Sequence, residues 1–338
     1  CIVLRIIIDT PSYVRVEGDS IVYFAEGKIR RAKLTNVKEI RIGPNVKISS
    51  NLILKAIKHG IFIVFADQEE FAYIQSSKMY GTVKTQRMQI KIYDTERGAA
   101  LCKAFAKASI LTRAKLLNQI AKRREDETKE ILKQKSIEIK EKEREIDKIN
   151  GHIEKIRMKI MNIEANAAET YFRTLSHIIP EPYGYKGKRT RKPPEDPFNA
   201  AISYAHSRVR QIVLQAIISA GLHPYFGYLH ADVPGRISLV LDLAEEFLVP
   251  IAHATVIKLF TRRQIKEYDY TVKENAVYLN LNGRYKVNIT IANMLKKQIK
   301  WRGINTTIEG TIYHQARHLA NYIKGEKQTY KNANIPTE

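Results

Sequence analysis

The run Ile139-Lys-Glu-Lys-Glu-Arg-Glu-Ile146-Asp-Lys-Ile149-Asn-Gly-His-Ile153-Glu-Lys-Ile156-Arg-Met-Lys-Ile160-Met-Asn-Ile163-Glu164 fixes the character of the larger part of this chain. After Ile139 and Ile146, its isoleucines recur at alternating three- and four-residue steps, with Lys and Glu between them. That is a heptad seam, an apolar stripe along one side of a helix. The seam is expected to pack on the rest of its own domain rather than form a free coiled coil. It ends at Ile163, directly before Glu164.

Upstream of this region the period changes. Residues 1 to about 75 read as β: Val3, Arg5 and Ile7 alternate, as do Tyr13, Arg15 and Glu17 against Val14 and Val16. Further short runs follow at Ile21–Phe24, Lys28–Lys33, Val37–Ile42 and Ile61–Phe65. Gly-containing turns separate several of them, and Ser49-Ser50 opens one short helix that stops at Gly60. From about residue 84 the pattern is helical through Gln86–Tyr93, Gly98–Gln119 and the seam. The expected fold class is α+β: a small N-terminal β-domain with one helix (1–80), then a larger all-α domain (81–338) whose 84–97 stretch is a linker helix region.

Downstream of the seam, Pro180–Pro197 is rich in Pro and Gly and carries Lys186, Lys188, Arg189, Arg191 and Lys192, an exposed basic loop. Asp196-Pro197 then starts a helix, Asp as cap and Pro in the first turn, running to Gly221. Ser238 is placed to cap a further helix, which Pro250 interrupts. The remainder reads as helical in parts with a polar tail.

The 338 residues carry 57 Lys and Arg against 35 Asp and Glu, a formal net charge of +22. Such a surface attracts polyanions, and release of condensed counterions drives its binding to a phosphate backbone. Hydrophobic residues make up 44%, which supports a packed core. Two cysteines without metal-type spacing, Cys1 and Cys102, imply no disulfide framework, and Cys102 in its apolar helix reads as a buried thiol. No run is long and apolar enough to span a bilayer, so no membrane role and a cytoplasmic location are expected. Because the chain begins at Cys1 without Met, a residue or two is expected ahead of it.

Three places combine reactive groups with a constrained setting. Glu164 stands at the end of the seam, followed by small residues. His230 sits on a loop after the aromatic stretch His223–Tyr228. Asp242, Glu245 and Glu246 fall at helical spacing, sharing roughly one face among apolar neighbours. Carboxylates so close repel unless a cation lies between them. Carboxylate oxygens with one imidazole suit Mn²⁺ or Mg²⁺, and on a basic protein they suggest phosphodiester chemistry. Arg262, Arg263 and Lys266, with the basic loop, are candidate phosphate contacts.

These segments resemble one known family, the CRISPR-associated spacer-acquisition endonuclease/integrases. Arg191-Lys-Pro-Pro-Glu-Asp-Pro-Phe-Asn-Ala-Ala-Ile-Ser-Tyr resembles that family's R-x-P-P-x-D-P-x-N-A-x-L-S-Y run. Leu229-His-Ala-Asp-Val-Pro-Gly-Arg-Ile-Ser-Leu-Val-Leu-Asp-Leu-Ala-Glu-Glu-Phe resembles its L-H-x(4)-G-R-x-S-L-x-L-D-L-x-E-E-F segment, and Ile163-Glu-Ala-Asn-Ala-Ala-Glu-Thr-Tyr-Phe its I-E-G-x-A-A-x-x-Y-F segment. The resemblance implies Glu164, His230 and Glu245 as ligands of a catalytic divalent metal. Asp242 would then be a further or water-mediated ligand. It also implies a β-domain used for dimerisation, a helical catalytic domain, a homodimer and a small ferredoxin-like partner protein. The implied activity is capture of short foreign DNA duplexes and transfer of their 3′-hydroxyl ends into a repeat array by transesterification, with nuclease activity when water attacks. Two departures stand out: Ala165 where the family has Gly, and Leu248 where an Arg commonly follows E-E-F. The competing reading of the same residues is a basic DNA-binding scaffold without catalysis.

Overall fold

A computed structural model describes residues 4–25, 27–67, 71–74 and 82–336. The chain divides into two compact units, Cys1–Met79 and Tyr80–Glu338.

In the first unit, strands β1 (Leu4–Ile8), β2 (Tyr13–Glu17), β3 (Ser20–Ala25), β4 (Lys28–Lys33), β5 (Val37–Ile42), β6 (Lys47–Ile48), β7 (Phe62–Ala66) and β8 (Phe71–Ile74) surround helix α1 (Ser50–Lys58). They form two four-stranded sheets, ordered β1-β5-β7-β8 and β4-β3-β2-β6. The first sheet runs parallel except at β8, and β2-β3-β4 is an antiparallel meander. Alternating positions such as Ile6, Ile8, Ile40, Ile42 and Ile63 bury one face of each strand, with Val14, Ile21 and Leu52 in the same core. Ser49 caps α1, its hydroxyl accepting from the Leu52 amide at 3.2 Å.

The second unit begins with α2 (Thr82–Tyr93), α3 (Glu96–Ala121), α4 (Thr128–Asp147) and α5 (Ile153–Leu175). The heptad seam is not one helix. It splits at Asn150-Gly151-His152, where Gly151 takes φ +134°, a conformation L side chains rarely adopt. His152 then caps α5 by accepting from the Glu154 amide. The stripe folds back on itself: Ile139 and Ile146 of α4, and Ile153, Ile156 and Ile160 of α5, are buried, and α4 and α5 pack on α3 and on each other. The 84–97 stretch, expected as a linker helix region, holds most of α2 and the start of α3. Gln89 of α2 is 1% exposed and exchanges two hydrogen bonds with the His223 backbone.

Helix α6 (Pro197–Ser219) runs through the core and is buried along most of its length. Asp196 caps it by accepting from the Asn199 amide at 2.8 Å. After it come α7 (Ser238–Ala244), a π-type segment Leu248–His253 that contains Pro250, and α8 (Ala254–Thr261). Ser238 does not cap α7; its hydroxyl donates to the Ala231 carbonyl instead. This unit is mostly helical but not all-α. Two hairpins, β9 (Tyr270–Lys273) with β10 (Ala276–Leu279) and β11 (Gln298–Trp301) with β12 (Ile304–Thr307), flank α9 (Leu281–Lys296), and α10 (Ile308–Ile323) follows. The second hairpin turns on Arg302-Gly303, at φ +48° and +82°, the positive-φ pair that matches strand twist in a two-residue turn. No helix among the described residues is long and apolar enough to cross a membrane.

The polar tail is docked. Ala333 and Ile335 are buried, and the Trp301 indole donates to the Ala333 carbonyl at 2.6 Å. Its anchor is Glu246, 1% exposed, which accepts from Gln315 Nε2, the Tyr330 hydroxyl and the Ala333 amide. Burial raises the Glu246 carboxyl to about 7 against the pull of those donors. A carboxyl raised in the fold contributes most when protonated. That contribution is complete below the unfolded value, near 4.5, and is lost as pH climbs through about 7. Glu246→Gln retains an acceptor and loses the titration. Calorimetry is expected to show its melting temperature, relative to wild type, higher at pH 8 than at pH 5; an equal difference at both pH values contradicts this.

Candidate functional site

Several stretches converge on a pocket of about 540 Å³, among them α3 through Arg113, α5 through Glu164, the loop before α7 through His230, and the end of α7 through Glu245. Glu164 lies on α5 where the seam gives way to the small side chains of Ala165, Ala167 and Ala168, and Ala165 and Ala168 line the pocket with it. Ser109, one turn before Arg113 on α3, reaches both acids. Its Oγ is 2.8 Å from Glu164 Oε1 and 2.6 Å from Glu245 Oε2. A hydroxyl has one hydrogen, so only one of these carboxylates receives it at a time. The other faces an oxygen with no proton between. Arg113 supplies positive charge here, donating to Glu164 Oε1 at 2.7 Å and to Ser109 Oγ. Burial works to raise the Glu164 carboxyl, but Arg113, the two hydrogen bonds and the charge of His230 outweigh it and hold it below the usual range.

His230 is placed by its backbone. Asp242, fully buried, accepts from the amides of Tyr228, Leu229 and His230 through its two oxygens, and from His230 Nδ1 at 2.7 Å. The turn requires Gly227, because a Cβ there would lie 2.6 Å from Ser238 Cβ and 2.8 Å from the His230 carbonyl. Burial disfavours the charged imidazole, but the hydrogen bond to Asp242 and the charges of Asp242 and Glu245 raise it above the ordinary histidine value. With Nδ1 engaged, Nε2 is the ring nitrogen left for a ligand.

The three carboxylates after His230 do not share a face. Helix α7 ends at Ala244, and the backbone turns at Glu245 and Glu246. Asp242 lies behind the His230 loop, Glu245 lines the pocket, and Glu246 points into the tail dock. Their repulsion is relieved by separation and by distinct hydrogen-bond partners. Among the described residues, no three His, Cys, Asp or Glu side chains stand close enough together to enclose one ion. Glu164, His230 and Glu245 share the pocket, and Asp242 does not line it.

The basic loop divides as well. Lys186, Lys188, Arg189 and Arg191 line the same pocket. Arg189 is committed to structure, donating to Asn199 Oδ1 at 3.0 Å and Ser203 Oγ at 2.8 Å; burial lowers it to about 9. Lys192 is exposed beyond the pocket's lining, and Arg263 and Lys266 lie on a different concavity beside Tyr183, with Arg262 exposed next to them. Sequence reasoning missed Ser109 and Arg113, which sit in an apolar helix with no motif to mark them. It also missed Arg210 and the stacked pair His206 and His253, whose Nε2 atoms are 2.7 Å apart. Burial pushes both of these imidazoles well below the ordinary value, with His253, Arg210, Arg189 and Arg191 adding to it at His206, and Arg113 and Arg189 at His253.

Comparison with known proteins gives a consistent result. A family model described as CRISPR associated protein Cas1 matches residues 6–291. A CRISPR-associated endonuclease Cas1 of Archaeoglobus fulgidus is 31% identical over 338 residues, spanning 96% of this chain and 98% of the relative. Among solved structures, a casposase bound to integration product superposes with TM-score 0.83 at 20% identity, covering 99% of this chain and 94% of that one. A chain of a Cas6-RT-Cas1–Cas2 complex superposes with TM-score 0.82 at 17% identity, covering 99% of this chain and 36% of that one.

Asp242→Asn places an amide among donors and orphans at least one buried backbone N–H. It is expected to destabilise the protein by about 1–3 kcal/mol in urea unfolding; an unchanged midpoint would remove Asp242 from its organising role.

Proposed function

The chain belongs to the Cas1 family of CRISPR-associated endonucleases, and from that premise we propose that it is a divalent-metal-dependent DNA endonuclease and integrase that captures short duplexes and joins their 3′-hydroxyl ends into a repeat array. The observation that carries this reading is the pair of carboxylates, Glu164 and Glu245, facing one hydroxyl in a pocket that also holds His230. The two carboxylates compete there for one hydroxyl proton, with Arg113 donating to Glu164 as well, beside an imidazole whose Nδ1 is already bound. By donor type the set fits Mn²⁺ or Mg²⁺, hard cations that favour carboxylate oxygen and accept imidazole nitrogen; because the three side chains do not enclose an ion as they stand, binding would require them to draw together.

Glu164, Glu245 and His230 Nε2 would hold that ion, and when bound it offsets charge on the scissile phosphate and activates the attacking oxygen. The rest follows from the chain's own groups. Arg113, bonded to Glu164 Oε1 and Ser109 Oγ, favours the ionised form of Glu164 and would leave that carboxylate when an ion is held there. Asp242 holds the His230 ring in one orientation, so that Nε2 presents a lone pair to the pocket. Lys186, Lys188 and Arg191 on the rim, with Arg210 deeper, attract and orient the phosphodiester. In strand transfer, the incoming 3′-hydroxyl releases its proton to solvent as its oxygen bonds to phosphorus, the bond to the departing 3′-oxygen breaks, and that oxygen takes up a proton from solvent. Water in place of the 3′-hydroxyl gives hydrolysis.

The N-terminal β unit would serve dimerisation, and the homodimer would join a small ferredoxin-like partner. Support for a partner of this kind is the likeness to a chain of a Cas1–Cas2 assembly. The casposase likeness, with its integration product, supports strand transfer as the chemistry.

Glu164→Ala, His230→Ala and Glu245→Ala are each expected to reduce Mn²⁺-dependent cleavage and strand transfer at least about a hundredfold, while duplex binding persists. Full activity in all three variants would overturn the site. Salt-sensitive DNA binding with no metal-dependent turnover in the wild type would leave the scaffold reading.

A further inference from the structure

A second concavity, of about 530 Å³, shares no residue with the catalytic pocket. Its walls are the β11–β12 hairpin, one side of α10, and the tail at Lys327–Lys331. Arg302, Arg317, His318, Lys327 and Lys331 line it, and no Asp or Glu does. Among the described residues no carboxylate pairs with Arg317, Lys327 or Lys331, and the neighbouring Glu326 is taken by Lys324 at 2.8 Å. Buried Glu246 offsets part of the Arg302 charge, but cations gathered on a concave surface with no carboxylate in its lining still repel one another, and an anion between them relieves that repulsion.

The walls are held in place before any ligand arrives. Arg302, its guanidinium 4.4 Å from the Trp301 ring centre, donates to the carbonyls of Lys331 and Asn332 at 2.7 and 2.9 Å. Gln315 donates to the Lys331 carbonyl, and the Lys331 amide donates to His318 Nε2. The tail therefore cannot swing away to disperse its lysines without breaking these bonds.

We propose that this concavity is a second phosphate site, gripping the DNA backbone away from the catalytic pocket. The proposal rests on DNA being the substrate, as argued above. The lining favours a phosphodiester over an acidic protein surface. Protein interfaces centre on clusters of exposed aromatic and apolar anchors, whereas Trp301 here is 7% exposed and Ile304, 47% exposed, is the lone exposed large apolar side chain in the lining. Beside it and the cations stand Asn321, Gln328 and Thr329, the neutral side chains that accompany Arg and Lys on phosphate oxygens. The positive field has a reporter inside it. Burial, then Arg302, Lys327 and Lys331, lower His318 to about 4. An anion seated against those cations would raise it.

The test uses the full chain and the triple variant Arg317→Gln, Lys327→Gln, Lys331→Gln, whose changes are at exposed positions. Duplex binding by fluorescence anisotropy across a salt series is expected to weaken by about tenfold or more at low salt. The log–log salt slope should become shallower by roughly 0.9 for each phosphate that the variant no longer neutralises, to the same extent for unrelated sequences. The His318 imidazole midpoint, followed by NMR in the wild type, should rise when duplex is added. If the wild type binds and cuts DNA while the triple variant keeps its affinity and slope, the second site is wrong and the proposed function stands. If polyglutamate raises the His318 midpoint and duplex does not, the concavity takes an acidic protein and the proposal fails. If the wild type neither binds nor cuts DNA, the functional reading fails and the second site falls with it.

Discussion

Two carboxylates, from residues far apart in the chain, are pressed against one hydroxyl inside a protein whose charge is overwhelmingly positive. That constraint organises the second unit. Ser109 has one proton for either Glu164 or Glu245, and the Arg113 guanidinium supplies positive charge at Glu164. Burying two acids side by side is unfavourable unless positive charge lies between them. Because Ser109 and Arg113 lie on one face of α3, four residues apart, the helix that forms the hub of the α3–α4–α5 packing also sets the electrostatics of the pocket.

The turn after α7 divides labour among its acids. Asp242 gathers three backbone amides and a ring nitrogen, so the loop carrying His230 has one conformation. Glu245 faces the pocket. Glu246, its immediate neighbour, points the opposite way and fastens the C-terminal tail. A single turn thus links the imidazole, one carboxylate of the pocket and the tail that walls the second concavity. The tail is far from Glu245 in sequence but is one residue away through Glu246.

Much of this was legible in the sequence, for physical reasons particular to each element. Alternation in the N-terminal strands and the Ser49 and Asp196 caps read correctly because each depends on a few adjacent residues. Glu164, His230 and Glu245 were found by motif, and their meeting in one pocket is a tertiary fact that the spacing did not contain. The heptad seam packs on its own unit, as its reading required, but not as one helix: its period persists through Asn150-Gly151, yet glycine's access to φ +134° lets the chain turn and bury both halves on α3. The two hairpins were hidden among helical residues, with Arg302-Gly303 the only strong local turn cue at the second. Helical spacing placed Asp242, Glu245 and Glu246 on one face because it assumed that α7 continues past Ala244. Ser109 and Arg113 carry no sequence mark, since a serine and an arginine in a buried helix gain meaning only from what folding places opposite them.

The most direct test of the central claim is anomalous diffraction from crystals of the wild-type protein grown with Mn²⁺. The account predicts a single peak in the pocket, about 2.0–2.3 Å from carboxylate oxygens of Glu164 and Glu245 and from His230 Nε2, with Arg113 displaced from Glu164. A protein that cleaves DNA with Mn²⁺, yet holds the ion elsewhere while Glu164 remains paired with Arg113, would contradict it.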